Sequence, residues 1–251
     1  MKLLQRLATT SAVIASTLAT APLASAEDVD LELVLLIDTS SSVDSTEFAQ
    51  QMDGYVNAFR DEAVQEAVLA NPNGVAVQMA QWSRGENFAT LGWQVLRTEE
   101  DCRALATSIQ LFSRATPGGS TQMAPAIDNA MTELSTNPYD SPRQVIDVSG
   151  DGVCENWLME TTDHDAGDPT TGRPWSEVLA DRPASLTING IAIGMGHPLQ
   201  PEIGGWYNDV LRQGNNSFAL YVDSFDAFAQ GIKTKLIREI SLDEPATISY
   251  D

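Results

Sequence analysis

Aliphatic runs alternate with amphipathic stretches along most of this chain. Leu31 to Ile37 is a near-continuous apolar run that ends at Asp38. A strand of this kind is buried on both faces, as in a parallel sheet. From Asp44 to about Ala70, Phe48, Met52, Tyr55, Val56 and Phe59 recur at three- and four-residue spacing and predict one helix. Asn71-Pro72-Asn73-Gly74 stops it. Val75 to Trp82 and Phe88 to Leu96 read as strands. The short Arg84-Gly85-Glu86-Asn87 link makes them a hairpin, with the second an antiparallel edge. Helices follow at Glu99 to Phe112 and Gln122 to Leu134, separated by the Thr116 to Ser120 loop. Gln144 to Val148 is a buried strand, and a polar, irregular stretch with a short helix at Trp175 to Ala180 runs on to about Pro183. Leu186 to Ile193 and Phe218 to Val222 complete the strands. Pro201 to Leu211 and a last helix, capped by Ser224 and running to about Ile240, complete the helices.

This succession predicts an α/β fold: three layers, doubly wound, a mostly parallel sheet with one antiparallel edge strand, and helices on both faces. No repeat or linker divides it. The expected organisation is one domain over 27–251 with a long insertion at about 152–184.

Residues 1–26 do not fit that pattern. Lys2 and Arg6 precede a mild apolar stretch, and Ala24-Ser25-Ala26 is a small-x-small cleavage site, so the segment reads as a signal peptide. No later run is long and apolar enough to span a bilayer. The mature chain is therefore expected to be periplasmic or secreted. A content of 43% hydrophobic and 20% charged residues is globular rather than disordered. The net charge of -21 argues against binding nucleic acid or an anionic membrane, since phosphates would be repelled. Two histidines leave little room for His-based catalysis or a His-rich zinc site, and two cysteines exclude a four-cysteine one.

In an open α/β sheet, ligands bind at the carboxyl ends of the strands. There this chain carries Asp38-Thr39-Ser40-Ser41-Ser42, Thr121 behind Gly118-Gly119-Ser120, and Asp151-Gly152. These are oxygen donors only, which suit a hard divalent cation. Taken alone, the first segment is equally a strand-to-helix turn with capping hydroxyls. The Asp-x-Ser-x-Ser turn, the Thr in a Gly-Gly-Ser-Thr loop and the Asp of a Ser-Gly-Asp-Gly turn together resemble the metal-ion-dependent adhesion site (MIDAS) of von Willebrand factor A domains. Val145 to Gly152, Ile188 to Ile193 and Phe225 to Ile240 resemble, more narrowly, a secreted bacterial branch of unknown function, DUF1194.

The resemblance implies direct metal ligation by Ser40 and Ser42, and by Thr121 in a ligand-engaged state. It implies that Asp38 and Asp151 act through water. The cation would be Mg2+ first, with Mn2+ and Ca2+ as alternatives. An Asp or Glu side chain of an extracytoplasmic partner protein would complete the coordination. It further implies that the last helix moves when the metal's ligands shift.

Weaker signals lie elsewhere. Asp163-His164-Asp165-Ala166-Gly167-Asp168 does not fit an EF-hand loop. With Glu155 and Trp157 it lies in the insertion that is expected to overhang the metal face. His197 reads as a loop histidine, and Trp206 and Tyr207 as packing residues. Cys102 and Cys154 are expected at opposite ends of the sheet, too far apart for a disulfide. No Gly-x-Ser-x-Gly elbow or Gly-x-Gly-x-x-Gly motif is present, so a non-enzymatic binding module is expected. The alternatives are a structural envelope protein with a degenerate site and, behind it, a metal-assisted hydrolase.

Overall fold

Every side chain from Leu31 to Asp38 is buried, as an unbroken aliphatic run requires, and this strand stands near the centre of the sheet. The computed structural model describes residues 25–84, 87–115, 118–152, 175–194 and 203–241. Its strands are β1 (Glu27–Asp28), β2 (Leu31–Asp38), β3 (Val75–Trp82), β4 (Phe88–Leu96), β5 (Tyr139–Asp140), β6 (Gln144–Gly150), β7 (Leu186–Ile193) and β8 (Ala219–Val222). Its helices are α1 (Ser45–Arg60), α2 (Glu62–Leu69), α3 (Glu99–Leu111), α4 (Met123–Thr136), α5 (Trp175–Asp181), α6 (Ile203–Trp206) and α7 (Phe225–Ile240), with a π-helical turn at Tyr207–Leu211.

Six strands form the main sheet in the order β4-β3-β2-β6-β7-β8. All neighbours are parallel except β3 and β4, so the antiparallel edge is where the hairpin reading put it. The two-residue strands β1 and β5 pair in parallel beside it. They are too short to leave a sequence period.

Alternation along the strands builds two cores. Leu31, Leu33, Leu35 and Ile37 face α1, α2, α3 and α7. Val34, Leu36, Ile146 and Val148 face α4, α5, α6 and the π-helical turn. Trp206 and Tyr207 pack into this second core, as expected. Cys102 is fully buried in the first, where burial pushes its thiol up to about 11.

Three expected helices differ in detail. The stretch from Asp44 to Ala70 is two helices, broken at Asp61, whose backbone is extended at φ -77 and ψ 135. Its carboxylate accepts from Ala63 N at 3.0 Å and pairs with Lys233 Nζ of α7 at 2.7 Å. A capping acid and a tertiary ion pair thus override a continuous helical period. Ser224 occupies the N-cap position of α7, but its side chain makes no capping hydrogen bond. The segment that ends at Leu211 divides into α6 and the π-helical turn.

Asp61→Ala is expected to cost about 1–2 kcal/mol. The Lys233 contact holds the Asp61 carboxyl below the usual range. Its contribution is therefore present above about pH 4 and disappears as pH falls through the folded value. Urea unfolding near neutral pH checks this; an unchanged midpoint would refute it.

Helix α7 is also anchored beneath the sheet. Lys235 Nζ meets both Asp147 of β6 and Glu239, and all three are buried. Asn189 of β7 donates to Glu239 Oε1 at 2.9 Å. Residues 1–24 of the segment expected to be a signal peptide, insertion residues 153–174 (with Cys154, Glu155, Trp157 and the acidic cluster), His197 and the tail from 242 lie outside the described residues.

Candidate metal centre

The chain crosses from β2 to β3 on one side and later returns to β6 on the other. The crevice between β2 and β6 is the topological switch point, where a doubly wound sheet opens at its carboxyl edge. Asp38 ends β2 and Asp151 follows β6, so the two acids flank that crevice.

The turn after β2 is built by its own backbone. Asp38 Oδ1 accepts from Ser40 N at 2.7 Å. Ser40 Oγ and Ser42 Oγ lie 3.0 Å apart, and Ser42 Oγ donates to Asp151 Oδ1 at 2.7 Å. Ser40 is buried, Ser42 exposed and Asp151 half-buried. Asp38, Ser40, Ser42 and Asp151 are thus joined in one hydrogen-bonded group. Thr121 arrives from the third loop: a Cβ on Gly152 would stand 3.1 Å from its Oγ1.

The capping alternative for this turn does not match the local structure. Helix α1 is capped by Asp44, whose side chain accepts from Thr46 N and Glu47 N, while Glu47 accepts from Asp44 N. That capping box satisfies the helix end without the hydroxyls of Ser40 and Ser42.

The loops are tied to one another. Gly118 N donates to Thr39 O at 3.1 Å, and Ser41 N to Gly119 O at 3.0 Å. Thr39 N and Oγ1 both reach Trp82 O at the end of β3. Arg114 Nη2 donates to the carbonyls of Thr39, Ser40 and Val43 at 3.1, 3.3 and 2.7 Å. Its guanidinium lies 5.3 Å from the Phe48 ring centroid. Spacing gives no sign of Arg114, because its targets are carbonyls that every residue possesses.

Electrostatically the centre is short of positive charge. Asp38 is fully buried, and its Oδ2 has no hydrogen-bond partner among the described residues. Burial, and then the charge of Asp151, push its carboxyl up to about 7. An orphaned buried oxygen beside two hydroxyls and a second carboxylate is a donor set that fits a hard divalent cation. Among the described residues no group of three or more His, Cys, Asp or Glu could hold a metal, so the set is hydroxyl-rich rather than a carboxylate cage.

The family described as "Protein of unknown function (DUF1194)" matches residues 28–244. No curated protein matches the chain. Among solved structures, the vWF domain of the type V pili tip protein Mfa5 from Porphyromonas gingivalis is 12% identical, with a TM-score of 0.54 over 87% of this chain and 98% of that one. The pilus adhesin SpaC from Lactobacillus rhamnosus GG is 14% identical, with a TM-score of 0.56 over 84% of this chain and 30% of that one. A von Willebrand factor type A protein from Catenulispora acidiphila is 14% identical, with a TM-score of 0.52 over 84% of this chain and 42% of that one. The chain spans about half or less of several solved chains that it matches. At such identities the likeness is one of fold: the sheet and helices are of the von Willebrand factor A type.

Proposed function

We propose that this chain, which belongs to the DUF1194 protein family, is a cation-dependent protein-binding module working outside the cytoplasm. The observation that carries this reading is the buried, unpartnered Oδ2 of Asp38 beside the Ser40–Ser42–Asp151 hydrogen-bonded group. Ser40 and Ser42 would hold the cation directly, Thr121 would join them when a ligand is engaged, and Asp38 and Asp151 would act through its waters. When bound, the cation supplies a Lewis-acidic position facing solvent. Neutral hydroxyls offset little of its charge, so an external Asp or Glu carboxylate is the chemistry that would recognise it. Mg2+ fits first, and Mn2+ and Ca2+ share the donor preference.

A leader over residues 1–26 would deliver a mature domain of 27–251 to the periplasm or the medium. Among the described residues, no helix is long and apolar enough to cross a membrane. The likeness to adhesin and pilus-tip domains supports an adhesive, non-enzymatic role. The partner would be a protein, since a net charge of -21 opposes nucleic acid.

Calorimetric titration of Mg2+, Mn2+ and Ca2+ into the metal-stripped mature protein tests the reading. Single-site binding is expected for the wild type and is expected to disappear in Ser40→Ala. Absence of binding in the wild type, with and without an added acidic peptide, would leave a structural envelope protein with a degenerate site.

A further inference from the structure

The hydroxyl of Tyr207 is not explained by the packing of its ring. That ring is fully buried across Gly190 of β7, where a Cβ would stand 2.5 Å from Cδ1, and it meets Trp206 edge-on at 5.8 Å between centroids. Phenylalanine would fill the same space. The hydroxyl itself has no hydrogen-bond partner among the described residues, and leaving it so costs about 1–3 kcal/mol. Tyr207 opens the π-helical turn, a rare geometry that recurs at functional sites.

Asp38 Oδ2 shows the same deficit on the other side of Gly150. A Cβ on Gly150 would lie 2.8 Å from Asp38 Oδ2 and 3.1 Å from Tyr207 Oη. The two orphaned oxygens are thus no more than about 6 Å apart over Gly150, a closeness that only glycine permits. No direct hydrogen bond joins them, and one bridging water spans such a gap.

We propose that Tyr207 is a positioning residue of the cation site: its O–H, through one water, engages Asp38 Oδ2 and fixes the carboxylate that would receive the cation's hydration shell. This inference rests on the cation-site reading above. Burial and the charges of Asp38 and Asp151 keep the phenol protonated well beyond the usual tyrosine range, so it remains a donor. Removing such an outer partner typically weakens a metal site tenfold to a hundredfold, because the inner groups lose their orientation.

The test is Tyr207→Phe, which keeps the ring and deletes the hydroxyl. Mn2+ is titrated into the metal-stripped wild type and variant, and the cation-free thermal midpoints are measured alongside. The expected result is affinity weakened about tenfold or more, with a midpoint shift of only a few degrees. Unchanged affinity beside a wild type that binds Mn2+ overturns the Tyr207 assignment and leaves the cation reading standing. A wild type that binds no Mn2+ overturns both. A second readout needs no cation: Tyr207→Phe and Asp38→Asn are combined, and their effects on the cation-free midpoint are expected to be non-additive, as for groups sharing one water. Additive effects overturn the linkage between the two oxygens.

Discussion

Lys235→Met is expected to destabilise the protein by about 3–5 kcal/mol near pH 8, because it leaves two buried carboxylates without their cation. Lys235 and Asp147 are fully buried and Glu239 nearly so, and the ammonium contacts both acids. Asp147 Oδ2 and Glu239 Oε2 have no hydrogen-bond partner among the described residues. Methionine matches the lysine stem in length, so the loss would come from charge rather than from a cavity. Near pH 5 the defect is expected to shrink to less than about half, since protonation would neutralise the stranded acids. Urea unfolding of both proteins at the two pH values measures this. A loss of equal size at both would show that the lysine acts by packing alone.

The same cluster sets a pH trend in the wild type. Burial first, and then the Asp147 charge, push the Glu239 carboxyl up to about 8; burial also raises Asp147 against the opposing pull of Lys235. Other groups face this cluster. Tyr55 of α1 carries a phenol pushed up by burial and by Asp147, and Arg143 and Arg238 supply positive charge at its edge, Arg238 stacked 3.8 Å from the Phe218 ring centroid. A folded carboxyl that binds its proton more tightly than the unfolded chain does is destabilising once that proton must leave. Stability from this cluster is therefore highest below the unfolded value of about 4.3 and falls as pH rises through the folded one. The capping carboxylates Asp61 and Asp101, held below the usual range, act in the opposite sense only under acid conditions.

The contrast between β2 and α7 explains what the sequence could reveal. Leu31 to Ile37 announces a central strand because a two-sided burial leaves no polar position in the run. The three loops of the candidate centre were legible for a related reason. Asp38 and Asp151 fall where the hydrophobic pattern of β2 and β6 ends sharply, and Thr121 is marked by the Gly118-Gly119 loop that leads into α4. The buried cluster was not legible, because Lys235 and Glu239 stand four residues apart and read as an ordinary solvated pair on a helix surface. Only the position of Asp147 on the facing strand shows that this stripe points inward. Asp61 was hidden likewise: the apolar period runs through it, and the break depends on Lys233, far away in sequence. Arg114 and Tyr207 act on backbone carbonyls and on a single buried oxygen, which no motif encodes.

Asp151→Ala is expected to move cation binding and stability in opposite directions. Affinity for Mn2+ should fall at least about a hundredfold, the upper range for loss of an orienting carboxylate. The cation-free protein should nevertheless melt higher. Asp151 is the largest influence after burial itself in raising Asp38, so its charge opposes a neighbour that cannot reach water. Above the folded Asp38 value, relief of each pKa unit is worth about 1.4 kcal/mol, or about 3–6 °C for a domain of this size. The hydrogen bond from Ser42 is lost in exchange, but Ser42 is exposed and water replaces that partner at little cost. Saturating cation should reverse the order. At a hundred times its dissociation constant it would stabilise the wild type by about 2.7 kcal/mol and the variant hardly at all. The two melting curves, with and without Mn2+, should therefore cross over. If Asp151 merely braces the turn, the variant would be the weaker protein in both conditions, and the carboxylate pair would have no claim to a cation.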